Sequence, residues 1–147
     1  MIRRLLLTAA LAGGALDTAA GQTASVRLES EMKIEIEVEG ATIAAVLEDS
    51  PAARDFASLL PLTLTLEDYH STEKISALPR RLNVEHAPAG FDPSPGDLTY
   101  YAPWGNLAIF YRDFGYSRGL VKLGAIVAGV DALQVPGALT ATIRRAK

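Results

Sequence analysis

The chain has 147 residues, 14 Lys plus Arg, 17 Asp plus Glu, a formal net charge of -3 and no cysteine. The length suits one domain with its own core, and 49% hydrophobic residues mark it as globular, neither disordered nor collagenous. Lacking cysteine, it has no disulfide framework, thiol nucleophile, thiolate zinc site or cysteine-held cluster; lacking cationic excess, it has no electrostatic footprint for nucleic acid.

Met1-Ile2-Arg3-Arg4 precedes twelve uncharged residues from Leu5 to Leu16, and small residues follow at Ala19, Ala20 and Gly21. A basic start, a short apolar run and small residues predict a secretory signal peptide over residues 1–21. The bland alternative is an uncleaved amphipathic helix. Twelve helical residues rise about 18 Å, short of a hydrocarbon core of roughly 30 Å, so no stable membrane span is expected after processing. Ordinary export fits the residues around Arg3-Arg4 better than a twin-arginine signal, and no cysteine follows for a lipid anchor. The expectation is an exported protein, periplasmic or secreted, with a linker at 22–31 and one domain at 32–147.

Met32, Ile34, Ile36 and Val38 alternate with Lys33, Glu35, Glu37 and Glu39, the period of a strand with one apolar and one solvated face. Gly40 supplies a turn, and residues 42–47 return as the second strand of a hairpin. Asp49-Ser50-Pro51 is a helix start, with a capping side chain and proline in the first turn. The helix of about ten residues carries Ala52, Phe56, Leu59 and Leu60 on one face and stops at Pro61. Leu62, Leu64 and Leu66 make the next strand.

Between Asp68 and Asp97 the pattern breaks down, with residues 74–78 as a short extended piece and Pro95-Gly96 suited to a type II turn. A loop of that length in a compact domain is treated as the rim of a site. Strands are then expected at 98–102 and 107–112 across Pro103-Trp104-Gly105-Asn106, at 120–127 and at 138–144, with a helical turn at 129–133. Seven or eight strands with one or two small helices predict a closed barrel, which leaves no edge to aggregate.

Two stretches carry a family resemblance: Ser50-Pro51-Ala52-Ala53-Arg54-Asp55-Phe56-Ala57-Ser58-Leu59-Leu60-Pro61, and Gly96-Asp97-Leu98-Thr99-Tyr100-Tyr101-Ala102-Pro103-Trp104-Gly105-Asn106-Leu107-Ala108-Ile109-Phe110-Tyr111. From about Met32 onward the chain resembles the bacterial cyclophilin-like family. The resemblance implies a mainly β fold, a closed cyclophilin-like β-barrel with one or two short helices. It implies no settled activity, because the name describes a shape and fold does not carry function. True cyclophilins rotate X–Pro bonds with an arginine on a barrel strand and an apolar proline pocket. Their Phe-His-Arg triplet is missing, since neither His70 nor His86 precedes arginine. Where a Gln-x-Phe strand would line that pocket, Ala108 and Phe110 stand instead. A barrier of about 18–20 kcal/mol needs a donor favouring the twisted amide, and no arginine is identified for that role.

Seven of the ten aromatic residues fall between Tyr100 and Tyr116. The first reading of that concentration is core and loop scaffold; the second is a ligand platform with a polar handle. The candidate ligand-binding residues are Tyr101, Trp104, Asn106 and Phe110, joined by Arg80 and Arg81 beside Pro79. Trp104 reads equally as an anchor or as a cap on the barrel's end, and the arginine pair as a holder of anionic groups or, more simply, as solvated charge. Two histidines in separate loops make no ligand spacing, and no nucleophile elbow, phosphate loop or dinucleotide fingerprint is present. No catalytic residue, metal or cofactor is assigned. The expected function is a non-catalytic module binding a peptide or small apolar ligand, with a weak prolyl isomerase as the alternative.

Overall fold

The computed structural model describes residues 31–147; the expected signal peptide, and the linker except Glu31, lie outside the described residues. Eight antiparallel strands close into a barrel: β1 (Met32–Val38), β2 (Ala41–Leu47), β3 (Leu62–Tyr69), β4 (Glu73–Ala77), β6 (Asp97–Tyr101), β7 (Asn106–Phe110), β9 (Leu120–Ala128) and β10 (Leu139–Arg145). Around the barrel they run β1-β10-β3-β4-β7-β6-β9-β2, and β2 pairs with β1 to close it. Closure leaves no free edge, the closed barrel that seven or eight strands suggest. A separate ribbon of β5 (Gly90–Phe91) and β8 (Ser117–Arg118) is too short to show in the pattern.

Alternation sets the core. Ile34, Ile36 and Val38 of β1 point inward with Ile43, Ala45 and Leu47 of β2, and Leu64, Leu66, Leu98, Leu107, Ile109 and Leu123 complete the interior. The turn between β1 and β2 uses Glu39 at φ 45 and Gly40 at φ 81, the two positive values of a type I′ hairpin. On the outside, Arg144 of β10 reaches Glu37 at 2.8 Å and Glu35 at 3.2 Å across the strand pair, so the glutamate face is partly paired. Gly124 marks where β9 crosses closest to β2: a Cβ there would lie 2.2 Å from the Val46 carbonyl oxygen.

Helix α1 (Pro51–Ser58) is shorter than expected. Ser50 caps it, its hydroxyl accepting from the Ala53 N–H at 3.2 Å, with Pro51 in the first turn. Its buried face is Ala52, Ala53, Phe56 and Ala57, which joins the barrel core against β9, while Leu59 and Leu60 are half-buried. The Pro95-Gly96 turn forms as expected: the Asp97 N–H donates to Ser94 O at 3.0 Å and Gly96 sits at φ 94. Val130–Leu133 is one turn of 3-10 helix. Among the described residues no helix is long and apolar enough to cross a membrane.

Candidate functional site

Strands β4, β7, β6 and β9 lie side by side, and their outer face is not left to water. Because side chains alternate, Tyr100, Leu107 and Ile109 go to the core and Tyr101, Asn106, Ala108 and Phe110 go out. Ala108, Phe110 and Leu120 form a second buried cluster outside the barrel, with Ile75, Phe91 and Tyr101 packed on it. Phe91 comes from the small ribbon, so those two short strands serve to cover this face. Gly119 lets the covering chain pass Pro103: it stands at φ 86, and a Cβ there would be 2.8 Å from the proline ring.

Beside this cluster is a cavity of about 150 Å³. Its walls are aromatic: Tyr69, Tyr101, Trp104, Phe110 and Phe114. Trp104 stands nearly perpendicular to both tyrosines, with ring centroids 5.6 Å from Tyr69 and 5.3 Å from Tyr101. Phe110 and Phe114 are 5.9 Å apart. Trp104 is held at the rim by its turn, where its own N–H and that of Gly105 both donate to Tyr101 O. It stays 58% exposed even so.

The polar groups of the cavity are Glu73, Asn106, His70 and Ser117. Asn106 is 7% exposed; its Nδ2 donates to Leu107 O at 3.1 Å, which fixes the amide orientation and leaves Oδ1 buried without a partner. A buried acceptor left unpaired costs about 1–3 kcal/mol, and such groups are rare enough to need a reason. Glu73 is 8% exposed, and burial pushes its carboxyl above the usual range, against a hydrogen bond from Thr72 that lowers it. That bond is weak. The single Thr72 hydroxyl proton is shared between Glu73 Oε2 and Tyr69 O, each 3.3 Å away. Among the described residues no lysine or arginine lines the cavity, and Glu73 makes no ion pair.

The turn from β3 to β4 sets the rim. Thr72 N–H donates to Tyr69 O at 3.2 Å, and the two residues between, His70 and Ser71, stand at φ 52 and 54. Neither is glycine, so the turn holds two side chains in a left-handed region that L-residues disfavour. The imidazole packs on the Tyr69 ring with centroids 4.1 Å apart.

The structure thus brings Tyr101, Trp104, Asn106 and Phe110 together around one cavity. It does not bring Arg80 or Arg81 there. Arg80 is bound through both terminal nitrogens to Asp55 on α1, at 2.8 and 2.9 Å, and that hydrogen bonding holds the Asp55 carboxyl below its ordinary range. Arg81 donates to Ala102 O at 2.8 Å, so it braces the turn that carries Trp104. Tyr100 and Tyr111 of the aromatic-rich stretch also turn away: Tyr100 accepts from the Leu82 N–H, and Tyr111 donates to Asp68 at 2.8 Å. Burial, then the Asp68 hydrogen bond, pushes the Tyr111 phenol up to about 12. Sequence reasoning leaves Tyr69 and Glu73 out of the candidate site, and places Phe114 in the aromatic-rich stretch without singling it out. The first two flank the β3–β4 turn, inside a stretch that reads as irregular.

A larger cavity of about 260 Å³ lies between the start of α1, the 85–91 segment and β9; Leu120 lines both cavities. Its floor is apolar, with Ala52, Pro88, Phe91 and Val121. Its lysine is already engaged: Lys122 lies 3.5 Å from Asp97, 3.8 Å from Glu48 and 5.6 Å from the Phe91 ring centroid. The smaller cavity differs in holding one acceptor without a partner, Asn106 Oδ1, and a buried carboxylate without an ion pair. No group of three or more His, Cys, Asp or Glu among the described residues is placed to hold a metal.

The chain is similar in structure to the hypothetical protein AF2241 from Archaeoglobus fulgidus, whose solution structure superposes with a TM-score of 0.61 at 21% identity, over 79% of this chain and 95% of that one. At that identity the likeness speaks for the fold. No curated protein matches the sequence. The sequence profile of the Cyclophilin-like family matches residues 36–144, from β1 to β10 and across both stretches that carried the resemblance. The chain therefore belongs to the cyclophilin-like family.

Proposed function

We propose that this protein is an exported, non-catalytic binding module, and that its ligand sits in the outer cavity between Trp104, Tyr101, Phe110 and Asn106. The observation that carries the reading is the unpartnered Oδ1 of Asn106 among aromatic walls. A concave apolar site with few convergent polar groups is the ordinary form of a small-ligand pocket. A volume near 150 Å³ fits one side chain or small ring, since an engineered cavity of about that size holds benzene. The neighbouring cavity across Leu120 gives a peptide room to continue. Prolyl isomerisation would need a strong donor at the twisted amide, and no guanidinium or ammonium among the described residues lines the cavity to supply one. Export rests on the basic start, the apolar run and the small residues of the first twenty-one positions; an intact Met1 by mass spectrometry of the cytosolic fraction would refute it.

Trp104 is the one tryptophan in the chain, so its fluorescence reports on this site alone. Titration with a panel of N-acetyl amino-acid amides is expected to give a saturable change for at least one member, weakened by Phe114→Ala, a substitution at a 48% exposed ring. No change with any member contradicts the reading.

A further inference from the structure

The polar character of the cavity is one-sided. Its two buried polar groups, the Glu73 carboxylate and Asn106 Oδ1, are acceptors, and the π-faces of Tyr69, Tyr101 and Trp104 are electron-rich as well. Two nearly perpendicular ring pairs meet at Trp104 and form a corner, the arrangement that holds a cation against aromatic faces within about 6 Å. Two neighbouring cations are committed elsewhere. Lys74, next to Glu73, points into the opposite face of the strand and bonds to Asp68, and the Arg112 guanidinium lies 5.9 Å from the Tyr111 ring centroid. Among the described residues, no lysine or arginine stands in the cavity against the buried Glu73 carboxylate.

From this arrangement we infer that the outer cavity takes an organic ammonium that still carries N–H, a primary alkylammonium of the lysine side-chain kind, with its charge and its N–H groups at Glu73 and its methylenes against Tyr101 and Phe110. The inference rests on the binding reading above and narrows it. A neutral apolar ligand would leave the Glu73 carboxylate desolvated and unpaired, which is the costly arrangement; an anion would be repelled. A quaternary ammonium would meet the rings but bring no N–H to the Glu73 carboxylate. The net charge of -3 favours approach of a cation.

The test uses the full chain and Trp104 fluorescence at neutral pH with four probes: n-butylammonium, n-butanol, N-acetyl-lysine amide and N-acetyl-norleucine amide. The lysine and norleucine compounds share a carbon chain and differ in the ammonium. The expected result is binding of the lysine compound about tenfold tighter than the norleucine compound, and of butylammonium over butanol, with both preferences lost in Glu73→Gln. Response to butylammonium equal to that of the lysine compound assigns the ligand as a free amine; a stronger response to the latter assigns a peptide side chain, and either supports the ammonium class. Norleucine binding as tightly as lysine overturns the ammonium class and leaves an apolar site. Retention of the preference in Glu73→Gln also overturns it. Silence from all four probes removes this inference together with the binding reading, whereas a response confined to neutral amides in the wider panel removes this inference alone.

Discussion

Glu73 and Lys74 are adjacent on β4, both buried, and their surroundings are opposite. Lys74 points into the barrel at 0% exposure, and each of its three N–H donors has an acceptor: Asp68 Oδ1 at 3.0 Å, Val135 O at 2.8 Å and Gly137 O at 2.7 Å. Asp68 in turn accepts from Tyr111 and from the Gly137 N–H at 3.0 Å. Burial pushes the Asp68 carboxyl up, but the hydrogen bonds of Lys74, Tyr111 and Gly137 outweigh it and hold it below the ordinary range. Glu73 faces the other way with half of one hydroxyl's attention. A buried network with every valence met rigidifies a fold, whereas an unpaired buried group is costly. The pair shows two buried charged side chains one residue apart, one with every donor answered and one without an ion pair.

Breaking the satisfied side should have the largest effect. Lys74→Met strands two carbonyls and removes the ammonium from Asp68; urea unfolding should show a loss of about 3 kcal/mol. A loss under about 1 kcal/mol would mean the network does not hold the 134–138 segment to the barrel. Next comes pH. The folded Tyr111 phenol titrates at about 12 against an ordinary 10.0, so its contribution is full below pH 10 and disappears as pH rises through 12. Over that window wild type should lose about 2 kcal/mol more than Tyr111→Phe. At the acid end Asp68, lowered from 3.8, contributes above that value and loses its contribution as pH falls through the lower folded value.

The open side should respond with the reverse sign. Glu73 is raised from 4.5, so the stability linked to its proton is present below pH 4.5 and lost as pH rises through the folded value. Glu73→Gln is expected to be neutral or to stabilise by about 1 kcal/mol at pH 7, while abolishing the ammonium preference. Marked destabilisation by that change would make Glu73 a structural residue. The smallest effect concerns the rim: Ser71→Gly relieves one left-handed residue at φ 54 and should stabilise by about 0.5 kcal/mol, with thermal unfolding as the measure.

The barrel was legible in part because β1, β3 and β10 carry apolar residues at alternate positions, while closure comes from the family resemblance together with the number of strands. β4 reads only as a short extended piece at 74–78, since it opens on a buried glutamate and an inward lysine, which a binary pattern records as polar. The same two residues explain why the stretch after Asp68 read as a loop and why Tyr69 and Glu73 went unnoticed. Four candidates, Tyr101, Trp104, Asn106 and Phe110, were accessible because a hairpin fixes which of its residues share a face. Arg80 and Arg81 were chosen for charge alone, and charge does not say where a long side chain turns; the pairing of Arg80 with Asp55 is a contact across 25 positions.

The central claim is that the outer cavity at Trp104 is where a ligand binds. Its most direct test is the ¹⁵N–¹H correlation spectrum of the full chain during titration with N-acetyl-lysine amide. The account predicts shifts confined to the Trp104 indole N–H, the Asn106 side-chain amide and the backbone of residues 69–73. Shifts centred on Phe91, Val121 and Lys122, around the larger cavity, would contradict it, as would a spectrum that does not move.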